Sequence, residues 1–182
     1  MIYPHQRGFV GYDLDGTLRE TESSETFINT PTDQKRIDGA LEAMKKFELH
    51  VRSFELEKIR TVGITNQQGV KWGYKSLEDC IEEQSITLEL FPTLQFILFC
   101  PDDGQTCWKV DRNGSVDMTD PELSGSYRKP GTGMLELATE GLPPFEENWW
   151  FVGDRDSDQQ AAEAGGFNFI WASDWLRGDY VV

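Results

Sequence analysis

Five short β-prone runs, each closing on a polar or glycine-rich break and separated by longer stretches, constrain this chain most. Residues 8–14 hold Phe9, Val10 and Tyr12 and reach Asp13 near their end. Residues 61–65 end at Asn66-Gln67-Gln68-Gly69, and residues 94–99 are almost wholly apolar. Residues 149–152 end at Gly153-Asp154, and residues 167–171 follow the break at Gly165-Gly166. Helical patterns lie between them. Past Pro31-Thr32-Asp33, the apolar positions Ile37, Leu41, Met44, Phe47, Val51 and Phe54 recur at steps of three and four, which is one helix face. Residues 76–90 follow, with Ser76 as N-cap and Asp79 as its capping-box acid. Residues 134–140 and 156–164 give two shorter helices. The alternation predicts an α/β fold: a doubly wound, Rossmann-like parallel sheet of about five strands with helices on both faces. Asn113-Gly114 predicts a β-hairpin inserted near residues 106–118, and residues 19–30 form a loop or short flap. The length of the chain suits one domain, residues 1–182.

Charge limits the partners. Seventeen Lys and Arg face 32 Asp and Glu, a net charge of −15. That excludes a protein held to nucleic acid by a broadly basic surface, but not a local basic pocket. The 11 Phe, 6 Trp and 5 Tyr argue for a packed core rather than an acidic disordered chain. No apolar run approaches the roughly 20 residues of a bilayer-crossing helix, and the first residues lack an apolar export segment. No membrane partner and a cytoplasmic location are therefore expected, with Cys80, Cys100 and Cys107 as reduced thiols. With His5 and His50 as the only histidines, a His-centred triad or multi-His metal site has no basis.

Functional groups of a doubly wound sheet gather at the carboxyl ends of its strands. Here those ends bring Asp13, Asp15, Asp154 and Asp158 to one edge, with Thr65 and with Lys129 from Arg128-Lys129-Pro130. Clustered carboxylates repel one another and call for a cation, and hard oxygen ligands suit Mg²⁺.

Taken in order, Asp13-Leu14-Asp15-Gly16-Thr17, Thr65, Lys129 and Gly153-Asp154 with Asp158 resemble the four motifs of haloacid dehalogenase-like (HAD) phosphatases, over nearly the whole chain. The resemblance implies that Asp13 is the nucleophile, forming an aspartyl-phosphate, and that Asp15 is the general acid and later the base. It implies a Mg²⁺ site built from Asp13, the Asp15 carbonyl, Asp154 and Asp158. Thr65, Asn66 and Lys129 would hold the phosphoryl oxygens. Asp156, between the motif positions, is expected only to cap its helix.

Thr65-Asn66-Gln67-Gln68-Gly69-Val70 and Arg128-Lys129-Pro130 narrow the resemblance to HAD subclass IIIA. That subclass holds histidinol-phosphate and heptose-bisphosphate phosphatases and the phosphatase domain of polynucleotide kinase/phosphatase. The gap from Thr17 to Pro31 is too short for a cap domain. A structural zinc is not expected: Cys100 keeps one ligand position, but Asp102, Gly125 and Tyr127 stand where the others would be. Acids outnumber Lys109, Arg112, Arg128 and Lys129 in and beside residues 101–125, which favours a small phosphorylated metabolite over nucleic acid. A polynucleotide 3′-phosphatase is the alternative, and a non-catalytic phosphate-binding member a second one. Trp108, Trp149, Trp150, Trp171 and Trp175 are expected in the core rather than stacked on substrate.

Overall fold

The computed structural model describes residues 7–52, 58–143 and 148–182. Its main sheet has the order β7-β6-β5-β4-β1-β8-β9. Strands β1 (Arg7–Tyr12), β4 (Lys58–Asn66), β5 (Phe96–Cys100), β8 (Trp149–Gly153) and β9 (Asn168–Trp171) run parallel, the five expected. The hairpin strands β6 (Trp108–Asp111) and β7 (Gly114–Asp117) join antiparallel beside β5, so the predicted insert extends the sheet to seven strands. From β1 the chain builds outward through β4 and β5, then returns to the other side of β1 as β8 and β9. That reversal leaves a crevice at the carboxyl end of β1.

Two apolar layers flank the sheet because side chains alternate along each strand. One layer packs Val10, Tyr12, Ile97, Phe99 and Val152 against α1 (Ala40–Arg52), α2 (Leu77–Leu90) and α5 (Ala172–Arg177). The other packs Phe9, Val62, Ile64, Leu98 and Phe151 against α3 (Gly133–Thr139) and α4 (Asp156–Ala164). Ser76 and Asp79 form the expected capping box on α2, a device that contributes about 1 kcal/mol. The terminal helix α5, absent from the sequence reading, buries Trp175 against Tyr12, with ring centroids 5.4 Å apart. Trp150 and Trp175 are core residues, as expected; Trp108, Trp149 and Trp171 are half-buried.

The helix expected after Pro31-Thr32-Asp33 begins only at Ala40. Lys35–Arg36 (β3) instead pairs with Arg19–Glu20 (β2), and the Ile37 N–H donates to the Leu18 carbonyl at 2.9 Å. Gly39, at φ +82°, then turns the chain into the helix. Asp33 accepts the Ser23 N–H and hydroxyl, so its capping chemistry serves the flap. Ile37 kept the helical spacing while lying outside the helix, and Phe54 falls outside the described residues. Among the described residues no helix is long and apolar enough to cross a membrane.

Candidate active site

Asp13 is the first residue past β1, and its N–H donates to the Val152 carbonyl at 2.9 Å, which fixes it beside β8. The chain then folds back on itself: the N–H groups of Thr17, Leu18 and Arg19 all point to the Leu14 carbonyl. Buried Leu14 and Leu18 pin this turn in the core. Gly16 sits at φ +90°, and a Cβ there would fall 2.2 Å from Asp154 Oδ2. Only glycine lets the β1 turn and the β8 turn approach so closely.

Lys129 supplies the positive charge. Its ammonium is buried and donates to Asp13 Oδ1 at 2.7 Å and to the Ile64 carbonyl at 2.9 Å, and lies 2.7 Å from Asp158 Oδ1. All three N–H donors are thus engaged. The Phe151 ring lies under the same ammonium, 5.3 Å to its centroid. Burial works against the charged ammonium, but Asp13 and Asp158 outweigh it and hold its pKa above the ordinary lysine value. Asn66, expected at the phosphate, has both ends of its amide on the Lys129 main chain, each at 3.0 Å. It braces Lys129 against β4.

Asp158 Oδ2 accepts the N–H groups of Asp154 and Arg155 at 3.1 and 3.0 Å. The cap of α4 is therefore Asp158 and not the expected Asp156, whose side chain is exposed. Oxygens of Asp13, Asp154 and Asp158 lie within 4.8 Å of one another. Two oxygens on one Mg²⁺ stand at most about 4.2 Å apart, so this donor set fits such an ion after a small closure. The electrostatics agree. Burial, then the Asp158 charge, pushes the Asp13 carboxyl up to about 8 in spite of Lys129, and burial also raises Asp154. A cation between them would relieve that repulsion.

Asp15 faces the other way. Its Oδ1 accepts from Arg19 Nε at 2.9 Å and its Oδ2 from Gln67 Nε2 at 2.8 Å, with the Thr65 hydroxyl at 3.4 Å. Arg19 and Lys75 meet again on Glu83, at 2.5 Å each, and Lys75 also donates to Gln67 Oε1 at 2.6 Å. Asp15, Arg19, Glu83, Lys75 and Gln67 thus close a ring of hydrogen bonds and ion pairs. Burial alone would raise the Asp15 pKa; Arg19 foremost, with Lys75 and Gln67, outweighs it and brings the carboxyl below its ordinary value. The sequence reading missed Arg19, Gln67, Lys75 and Glu83. One signal was available, since Arg19 stands four residues after Asp15, the spacing of a local ion pair.

The insert leads into Lys129. The Asp102 carboxylate accepts from the N–H groups of Gly104, Gln105 and Thr106. The Gly104 carbonyl in turn receives the N–H groups of Gly125 and Tyr127, which leads the chain into Lys129. Cys100 and Cys107 are buried thiols beside this loop.

Asp13, Asp15, Thr65, Asn66, Lys129, Asp154 and Asp158 all line one cavity of about 600 Å³. One glycine carries much of this geometry. A Cβ on Gly153 would lie 2.5 Å from the Asp158 Cβ, so Gly153→Ala should push α4 and Asp158 off β8. The expected loss is about 1–3 kcal/mol in chemical denaturation, and unchanged stability would refute the close packing.

Residues 8–170 match the polynucleotide kinase 3 phosphatase family. Among curated proteins, the chain is 27% and 28% identical over 158 residues to the histidine biosynthesis bifunctional protein HisB of two Legionella pneumophila strains, Philadelphia 1 and Lens. Those matches cover 87% of this chain but only 39% of each relative. Among solved structures, a putative HAD-like phosphatase from Mesorhizobium loti superposes with a TM-score of 0.62 at 21% identity, covering 98% of this chain and 88% of that one. The D,D-heptose 1,7-bisphosphate phosphatase of B. bronchiseptica, complexed with magnesium and phosphate, gives 0.57 at 19% identity, covering 89% and 78%. Fold, motif order and family match agree: the chain belongs to the polynucleotide kinase 3 phosphatase family and is a HAD-type phosphatase.

Proposed function

We propose that this chain is a Mg²⁺-dependent phosphomonoesterase that works through an aspartyl-phosphate on Asp13 and acts on a small phosphorylated metabolite. The observation that carries the reading is the meeting of Asp13, Lys129, Asp154 and Asp158 in the cavity that also holds Asp15. Asp13 would attack phosphorus and the bond to the leaving oxygen would break, with Asp15 giving that oxygen its proton. Water would then attack the aspartyl-phosphate, Asp15 taking the proton, and inorganic phosphate would leave as the bond to Asp13 breaks. Mg²⁺ held by Asp13, Asp154, the Asp15 carbonyl and Asp158 would supply charge stabilisation for the phosphoryl oxygens. Lys129 and Thr65 would hold those oxygens in line, and Asn66 would brace Lys129. Arg19 favours the ionised Asp15, the form that accepts a proton from water. A phosphomonoester dianion beside Asp15 pushes the carboxyl the other way, toward the form that donates.

Charge favours a small substrate. Arg112 is engaged with the carbonyls of Leu88, Pro92 and Leu94, Lys109 with Asp111, and Lys71 with Asp103. These cations are tied down rather than arrayed along a nucleic-acid track. The family match favours the second reading, a polynucleotide 3′-phosphatase. Phosphate release should be measured from sugar phosphates, histidinol phosphate and a 3′-phosphorylated oligonucleotide. Metal chelation should lower turnover by on the order of a hundredfold or more, and added Mg²⁺ should restore it. Full turnover in chelator would end the Mg²⁺ assignment. Turnover of the oligonucleotide alone would select the second reading, and phosphate binding without turnover of any ester would make the protein a non-catalytic member.

A further inference from the structure

Among the described residues, the exposed large hydrophobic side chains are Phe27, Leu49, Trp72, Tyr74, Val116 and Val181. Phe27, Trp72 and Tyr74 are the aromatic ones, each at least 60% exposed, and all three line the cavity that holds Asp13 and Asp15. Exposed aromatic surface concentrated at one cavity marks a binding surface, since single exposed apolar residues scatter. We propose that these three side chains form a subsite for the leaving group, and that it takes a phosphomonoester carrying one flat aromatic ring. This inference rests on the phosphatase reading above and names the substrate class of that site.

The subsite is built, and it lies on the side of Asp15. Trp72 and Tyr74 sit in a compact turn after β4, held by the Trp72 N–H on the Gln68 carbonyl and the Tyr74 N–H on the Gly69 carbonyl. Their rings meet edge to face, 6.2 Å between centroids. Lys75, next along, donates to Gln67, which bonds Asp15, and to the Ile28 carbonyl at 2.8 Å, which holds the flap carrying Phe27. The flap and the turn are thus both fastened to the residue that would protonate the leaving oxygen. Lys129, Asp154 and Asp158 cluster on the opposite oxygens of the site, around Asp13. A phosphoryl group on Asp13 would therefore send its leaving group past Asp15, into the part of the cavity that Phe27, Trp72 and Tyr74 line.

The lining sets the chemistry. Aromatic faces attract a flat ring, and Thr26, Asn29 and Gln68, which line the same cavity, offer uncharged donors and acceptors to ring heteroatoms. A volume of about 600 Å³ suits one ring with its linker and phosphate, within the usual range for small-molecule sites. Beyond Arg19, Lys75 and Lys129, all paired with carboxylates, the cations lining the cavity among the described residues are Arg128 and Arg155. Two cations do not make a polyanion track.

The test uses esters of similar primary alcohols, so that leaving-group acidity is shared: propyl, 2-cyclohexylethyl, 2-phenylethyl and 2-(indol-3-yl)ethyl phosphate. For the full chain in Mg²⁺, kcat/KM for the two aromatic esters should exceed that of the cyclohexyl ester by about tenfold, the scale of one stacking contact. Trp72→Ala and the double variant F27A/Y74A should erase that preference while kcat/KM for propyl phosphate stays within about twofold. These side chains are exposed, so an unchanged thermal transition will show that the variants fold. Equal rates for ring-bearing and ringless esters, or an equal loss on every ester in the variants, would overturn the subsite and leave the phosphatase intact. No hydrolysis of any ester by the parent chain would overturn both.

Discussion

Asp13→Asn is expected to lower phosphate release by on the order of 10⁴-fold or more, the scale of removing a nucleophile. The amide keeps the size of the carboxylate and can still accept a hydrogen bond from Lys129, so the fold should persist; what it lacks is an oxygen able to attack phosphorus. Retained activity would refute Asp13 as the nucleophile. The same variant carries a second expectation. Without metal, burial raises the Asp13 pKa from its ordinary value to about 8, so the native protein holds a proton that the unfolded chain has released. Stability contributed by this group is full below the unfolded value and is lost as pH rises toward about 8. Asn has no proton to lose. In chelator, urea unfolding from pH 5 to pH 8 should therefore weaken the parent more than the variant, and parallel profiles would show that Asp13 is not the strained carboxylate.

How much of this was legible depends on whether a feature is local. The strand ends announced themselves, because a β-prone run closing on Asp13, Thr65 or Asp154 is visible within a few residues. Asp79 and Ser76 were legible for the same reason. Helix α1 was misplaced at its start because Ile37 sits at the correct spacing while its backbone serves Leu18. That pairing bridges 19 positions, and periodicity is blind to it. The Asp15 ring was illegible for a stronger reason. Arg19 and Glu83 are 64 residues apart, and a charged residue in isolation is most often solvated. Asn66 shows the limit of motif reading. It lines the cavity, but its amide bonds the Lys129 main chain 63 residues away. Trp72 lies in a turn and is exposed, and a lone tryptophan outside a strand or helix pattern carries no local signal of which way it faces.

Glu83→Ala should have the largest effect on stability. Glu83 and Arg19 are fully buried and Lys75 nearly so, with Glu83 2.5 Å from each cation. Removing the acid leaves two buried cations facing each other across a cavity. Breaking a buried ion pair from one side costs about 3–5 kcal/mol, more than an intact pair contributes; here Arg19 keeps Asp15, and Lys75 keeps Gln67 and the Ile28 carbonyl, but both lose the acid they share. For a chain of this size that corresponds to a fall in Tm of about 10 °C. Glu83→Gln keeps the shape and one acceptor, and should fall between parent and Ala. Salt separates this network from surface pairs: the loss should be nearly the same at low and high ionic strength, whereas the exposed Arg177–Asp174 and Arg177–Asp179 pairs are open to screening. Activity should follow as well, although Glu83 does not line the cavity. Arg19 and Lys75 reach Asp15 directly and through Gln67, so freeing them unfastens the carboxylate at the leaving group. The expected signature is a lower kcat, with KM for inorganic-phosphate-sized esters little changed. A Glu83→Ala protein as stable as its parent would refute the dependence of this buried network on Glu83.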